Sequence, residues 1–237
     1  MNDKIRLITE LFPNVQEFFM DASSCGPLTV LDVPYKGCCT FDRNIINTVL
    51  LNDAEHAVTL KMFYLQSYKF FDNLSSDVIR RFFTASERVR NSLDTLFKIQ
   101  PKRTALNVCI HIRRGDMTNS TESLASDDKF TSAAVKYVHD KAREEDSRLP
   151  YTFVMSDDPE WAMKVFRNHH RLQHRCQHLA TGLGYLSRGQ RVYYNHDFTR
   201  EHGIETQLVA TDFWPPHWIA LKYNAFDGEV IEWSSMN

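Results

Sequence analysis

No apolar run in this chain approaches the ~18 residues that a membrane-crossing helix needs, and its first residues lack the unbroken apolar core of a secretory leader. Cysteine is sparse. Cys25, Cys38, Cys39, Cys109 and Cys176 show no CxxC spacing, which argues against a zinc site, and their odd number leaves the redox compartment open. There is no basic excess: a net charge of −2 lacks the electrostatic footprint of a nucleic-acid binder. Internal repeats and low-complexity segments are missing too. What is present is an ordinary globular composition, 43% hydrophobic and 24% charged, over 237 residues. That length accommodates one large domain or two small ones.

The chain is organised around residues 107–117, NVCIHIRRGDM. Val108, Ile110 and Ile112 alternate with Asn107, Cys109 and His111, which predicts a short, largely buried strand with Cys109 as a small apolar filler. Arg113, Arg114, Gly115 and Asp116 follow at once. A strand that delivers these groups to its carboxyl end puts them where open α/β sheets hold ligands. Adjacent guanidinium groups suit a diphosphate, because each offers forked donors and a charge that does not titrate away. Gly115 lets the backbone pass close to whatever they hold. Spacing alone equally allows a solvated strand end with surface ion pairs, and Arg114-Gly115-Asp116 by itself is a short adhesion-type tripeptide.

Longer patterns add to this. The run His111-Ile112-Arg113-Arg114-Gly115-Asp116 resembles the HxRRGD motif of the α1,2-fucosyltransferases, which α1,6- and protein O-fucosyltransferases share in looser form. Upstream, residues 63–71, FYLQSYKFF, resemble the GYFQSYKYF segment of the α1,2 family. Downstream, residues 153–158, FVMSDD, with Glu160-Trp161, resemble its FSDDxEW segment. The three lie in the family's order, the match runs over about residues 11–195, and the style is closest to divergent nematode members. The resemblance implies an α/β, GT-B-like fold with a Rossmann-like parallel-sheet half. It also implies inverting transfer of L-fucose from GDP-fucose to the 2-hydroxyl of a galactose-containing glycan, with no metal. Arg113 and Asp116 would be catalytic, Arg113 stabilising the leaving diphosphate and Asp116 orienting the arginines. His111, Arg113, Arg114, Ser156, Asp157 and Asp158 would bind the donor. Asp157 and Asp158 are also candidates for the general base. The family is typically anchored in the Golgi, and the sequons at Asn73 and Asn119 are consistent with a lumenal protein.

Two family features have no counterpart. The family's glycine-rich GxGN loop is absent, since no Gly-Asn pair occurs in the chain, and so is its late Ser-rich, Trp-Trp segment. The expectation is therefore an incomplete Rossmann-like half, from a shortened isoform, an incomplete gene model or a degenerate paralogue. The alternative function is a non-catalytic family member that binds nucleotide, glycan or a full-length relative. An unpaired sheet edge would follow unless the C-terminal residues cover it.

Taken in order, the residues predict an N-terminal α/β, acceptor-side region over 1–104, a Rossmann-like donor-binding region over 105–203 and a C-terminal strap over 204–237. A helix is expected around 5–11, a break at Pro13, a second helix over 15–20 and irregular or strand structure over 25–41. Residues 50–64 fit strand followed by helix. Apolar spacing predicts one helix over 77–96. Asp127 or Ser126 caps a helix that runs to about Glu145. Strands over 151–155 and 191–194 flank a helix over 159–167, giving the alternation of a parallel sheet with crossover helices. Ser156-Asp157-Asp158 either contacts the nucleotide or caps the Asp-Pro helix start. His170, His174 and His178 would share one helix face, but they span ~12 Å of rise, too far for one ion. The aromatic stretch 212–218, DFWPPHW, reads as a strap packed on the core or as a lining for an acceptor sugar.

Overall fold

The structure is a computed structural model, and it describes residues 3–18, 29–32, 40–45, 47, 58–61, 66–96, 105–167, 172–174, 191–201, 203 and 208–234. The chain forms two compact units. One comprises Met1–Lys98 with Thr206–Pro215, the other Ile99–Glu205 with Pro216–Asn237.

In the first unit, helix α1 (Asp3–Leu11) leads into a 3-10 turn at Pro13–Phe18, and strands β1 (Thr29–Asp32) and β2 (Val58–Lys61) pair in parallel. Apolar spacing predicts one helix over 77–96, but two form, α2 (Ser76–Phe82) and α3 (Glu87–Leu96). Ser86 accounts for the break. Its backbone N–H donates to the Leu11 carbonyl at 2.8 Å, and its hydroxyl accepts from the Val89 N–H at 3.4 Å, so it starts a new helix rather than continuing the old one. The QSYK segment is tied down by Asp212, which lies in helix α6 (Ala210–Phe213). Buried Ser67 donates to the Asp212 carbonyl at 2.6 Å, and the Asp212 carboxylate accepts from Lys69 Nζ at 2.6 Å and the Phe41 N–H at 2.8 Å. After α6 the backbone turns extended at Trp214, ahead of Pro215-Pro216.

The second unit is built around strand β3 (Leu106–Ile112), helix α4 (Asp128–Glu145), strand β4 (Pro150–Ser156), helix α5 (Pro159–Val165) and strand β5 (Leu172–His174). The three strands form one parallel sheet in the order β3-β4-β5. Asp127 caps α4 through a carboxylate that accepts from the Phe130 N–H at 2.8 Å. One face of α4 packs Val135 against Ile112, Val154, Ala162 and Phe166. Its other face brings Ala133, Phe130 and Tyr137 against Leu221 and Val230. A buried Thr152 hydroxyl on β4 is satisfied by the His139 ring of α4 at 2.5 Å.

Several expectations change here. The strand expected over 191–194 exists as β6 (Tyr193–Asn195), but it does not complete the arginine sheet. It pairs with β7 (Ile219–Asn224), which forms an antiparallel hairpin with β8 (Glu229–Glu232). The third strand of the arginine sheet is instead β5, inside the histidine-rich stretch expected to be helical. His174 thus lies on a strand, while His169, His170 and His178 lie outside the described residues. The C-terminal hairpin covers α4 rather than extending the arginine sheet, whose edges among the described residues are β3 and β5. Cys109 is exposed rather than a core filler. The covering helices lie on the Ile110–Ile112 side, and Asn107 and Cys109 face the other way. The result is a mixed α/β architecture with a Rossmann-like parallel sheet, consistent with a GT-B-like protein. Among the described residues no helix is long and apolar enough to cross a membrane.

Among the described residues Phe166 is the largest fully buried side chain, 1% exposed at the end of α5. Phe166→Ala is expected to cost about 3–5 kcal/mol through lost transfer energy and the cavity left behind. A urea unfolding midpoint measures it.

Candidate functional site

β3 and β4 run parallel and in register, with Ile112 opposite Ser156. The turns that leave their carboxyl ends, 113–116 and 157–158, therefore lie side by side. Open α/β sheets place their ligand crevices at such ends.

Asp157 joins the two turns. Its Oδ1 accepts the Arg114 backbone N–H at 2.7 Å, and the Gly115 N–H donates to the same carboxylate. Arg113 Nε stands 3.5 Å from Oδ2. The Asp157 side chain is only 7% exposed. Burial pushes its carboxyl up, but the Arg114 and Gly115 N–H groups and the Arg113 charge outweigh that and hold it below the usual carboxylate range. A Cβ at 115 would lie 2.9 Å from Asp157 Oδ2, so a side chain there would push that carboxylate off its donors.

The two arginines have different surroundings. Arg114 is enclosed. Its Nε donates to Asp158 Oδ2 at 3.2 Å, its Nη1 donates to the Ser126 carbonyl, and its guanidinium carbon lies 4.2 Å above the Trp161 ring. Arg113 is open to solvent, 43% exposed, with Nη2 at 2.8 Å from both Asp116 oxygens. Asp158 also caps α5, its Oδ1 accepting from the Trp161 N–H at 3.1 Å, with Pro159 opening the helix. Ser156 closes its turn by accepting from the Asp158 N–H and donating to the Asp158 carbonyl, each at 3.0 Å. Burial pushes the His111 imidazole down; Asp157 opposes that shift and Arg113 reinforces it, so the ring is neutral near neutral pH.

All the residues singled out in the sequence (His111, Arg113, Arg114, Asp116, Ser156, Asp157 and Asp158) thus meet at these two turns. Ser126 and Trp161 join them unforeseen as partners of Arg114. Trp161 had a signal, since it belongs to the SDDxEW pattern; the Ser126 carbonyl had none, because any residue supplies one. Among the described residues no group of three or more His, Cys, Asp or Glu side chains is arranged to hold a metal ion.

A Rossmann-like parallel sheet with paired arginines at a strand's carboxyl end defines an α/β protein whose ligand crevice lies at the strand ends. The chain belongs to glycosyl transferase family 11, whose model matches residues 53–181. It is similar to a galactoside 2-alpha-L-fucosyltransferase of Caenorhabditis elegans, 26% identical over 199 residues, which cover 71% of this chain and 54% of that protein. It is also similar to the "Putative galactoside 2-alpha-L-fucosyltransferase svh-11" of the same organism, 24% identical over 257 residues, covering 94% of this chain and 67% of that protein. The chain spans about half the length of the first of these curated relatives. No solved structure matches it.

Proposed function

We propose that this chain transfers L-fucose from GDP-fucose to the 2-hydroxyl of a galactose-containing glycan, with inversion. The observation that carries the proposal is the unequal arginine pair: Arg114 locked by Asp158, Ser126 and Trp161, and Arg113 held at its Nε side by Asp157 yet open to solvent. A locked neighbour and a buried carboxylate preorient one guanidinium at the mouth of the sheet, where a diphosphate would meet it.

In this reading the bond from fucose C1 to the GDP oxygen breaks and the acceptor oxygen bonds to C1 from the opposite face. Negative charge gathers on the departing diphosphate, and the Arg113 guanidinium meets it. Asp116 orients Arg113, while neutral His111 offers a hydrogen bond to the nucleotide. Ser156, Asp157 and Asp158 serve the donor site chiefly through the arginine loop. With the leaving charge met by guanidinium groups, the reaction calls for no metal. The acceptor proton goes to a base other than Asp157 or Asp158, whose oxygens are committed to Arg114, Gly115, Arg113 and the α5 cap.

The test is a thermal shift of the full chain with GDP and GDP-fucose, repeated on Arg113→Ala. A rise in midpoint that the variant loses supports the donor site, and release of GDP in the presence of a galactoside supports transfer. Binding without turnover points to the second reading, a family member that holds nucleotide without catalysis. No shift in the wild type overturns both.

A further inference from the structure

The loop that carries Arg113 and Asp116 is tied at its base. The Ser126 N–H donates to the Arg113 carbonyl at 3.2 Å, and the Thr118 N–H to the Arg114 carbonyl at 2.9 Å. Its far part, residues 120–124, belongs to no helix or extended strand. A distant segment grips it instead. Ser123 and Thr199 form an antiparallel β-bridge. The Leu124 N–H donates to the Phe198 carbonyl at 2.9 Å, and the Arg200 N–H to the Glu122 carbonyl at 3.1 Å. Arg200 Nε donates to the Ser120 carbonyl at 2.7 Å. The chain then closes through Gly203, whose N–H donates to the Arg200 carbonyl at 2.8 Å. Gly203 is buried, and it passes so near the loop that a Cβ would lie 2.5 Å from the Glu122 carbonyl oxygen.

We infer that residues 198–201 and 203 form a clasp that fixes the arginine loop, and that Arg200 and Gly203 are positioning residues for a nucleoside diphosphate at Arg113. The inference rests on the donor site proposed above and adds to it a part of the chain that carries none of the three motifs. The physical argument is preorganisation. Ordering a loop costs conformational entropy for every residue in it. Where the clasp orders residues 113–126 beforehand, the ligand does not bear that cost on binding. Peptide groups supply most of the grip, as carbonyls of Ser120, Glu122 and Phe198. Its strength therefore depends on Arg200 reaching Ser120 and on position 203 having no side chain.

The experiment titrates the full-length chain, its Arg200→Ala variant and its Gly203→Ala variant with GDP and with guanosine, and follows backbone amide exchange at Arg114 and Thr118. Guanosine lacks the diphosphate, so the ratio of the two dissociation constants isolates the contribution of the arginine loop. The expected result in each variant is a GDP Kd raised about fivefold or more, the size of one lost hydrogen bond. The guanosine Kd should be unchanged, Tm should stay within about 3 °C of the wild type, and exchange at the two amides should be faster. A GDP Kd unchanged in both variants overturns the clasp, as does equal weakening of both ligands, which marks general structural damage. A wild-type chain that binds GDP no better than guanosine overturns the donor reading, and the positioning role with it. Exchange at Arg114 and Thr118 then still reads the mechanical half separately: unchanged rates in Arg200→Ala show that the segment does not hold the loop at all.

Discussion

Asp157→Asn is expected to destabilise the protein by about 3 kcal/mol, because a buried charged acceptor is replaced at a point where several donors converge. The substitution changes almost no volume. It keeps one oxygen for one of the two backbone N–H groups but turns an NH2 group toward the other donors, and it removes the charge beside Arg113. The pH dependence distinguishes this from a packing defect. The folded carboxyl titrates below its unfolded value of about 3.9. Its contribution is therefore fully present above that value and is lost as pH falls through the lower folded pKa. Asparagine has no such titration. The stability gap between wild type and variant should stay constant from about pH 7 down to about pH 5 and close at lower pH. Urea unfolding at a series of pH values measures it. A gap that persists unchanged into strong acid would mean that shape, not charge, is what Asp157 supplies.

Elements whose signals are local were legible in the sequence. Asp127 ahead of a period-3.6 apolar pattern gave α4 its start, and the Asp158-Pro159 pair opened α5. The valine, isoleucine and phenylalanine of β3 and β4 gave the first two strands of the arginine sheet. Pairing was less legible, because a short strand does not state its partner. β6 was visible as a strand, yet it joins β7 rather than β4, and β5 lay hidden among histidines that suggested a helix face. The exposure of Cys109 has the same origin. Alternation tells which residues share a face of a strand, but not which face the helices cover.

At the two turns, the resemblance implied that Arg113 meets the diphosphate, but not what holds either arginine. Arg113 and Arg114 are adjacent and chemically alike, and the motif does not contain the groups that enclose one and leave the other exposed. That is decided by residues more than forty positions away, Asp157 and Asp158 (separations of 43 and 44), brought alongside by the β3–β4 register. Gly115 is similar. Its value as a turn residue is plain from sequence, whereas its close approach to the Asp157 carboxylate, 2.9 Å from where a Cβ would be, exists only once the strands pair.

Arg113→Ala and Arg114→Ala should therefore fail in different ways. Arg113 is 43% exposed, and its pair with Asp116 lies at the surface, where such pairs contribute little. Its removal also takes a cation from beside buried Asp157, so a modest cost of about 1 kcal/mol is expected and, if the proposed transfer holds, a kcat lower by roughly 10²–10³-fold. Arg114→Ala leaves Asp158 Oδ2 and the Ser126 carbonyl without their donor and the Trp161 face without its cation. A loss of about 2–3 kcal/mol is expected, with binding lost as a consequence of a loosened loop. Lysine sharpens the contrast. At 113 it keeps a point charge toward a diphosphate and should retain part of the GDP affinity. At 114 an ammonium cannot serve Asp158 and Ser126 at once while lying flat on Trp161, so stability should not return. Urea midpoints and GDP dissociation constants for the four variants decide it. If Arg114→Ala abolishes GDP binding at unchanged stability, the enclosed arginine is a ligand in its own right, and the assignment of presenter and prop has to be reversed.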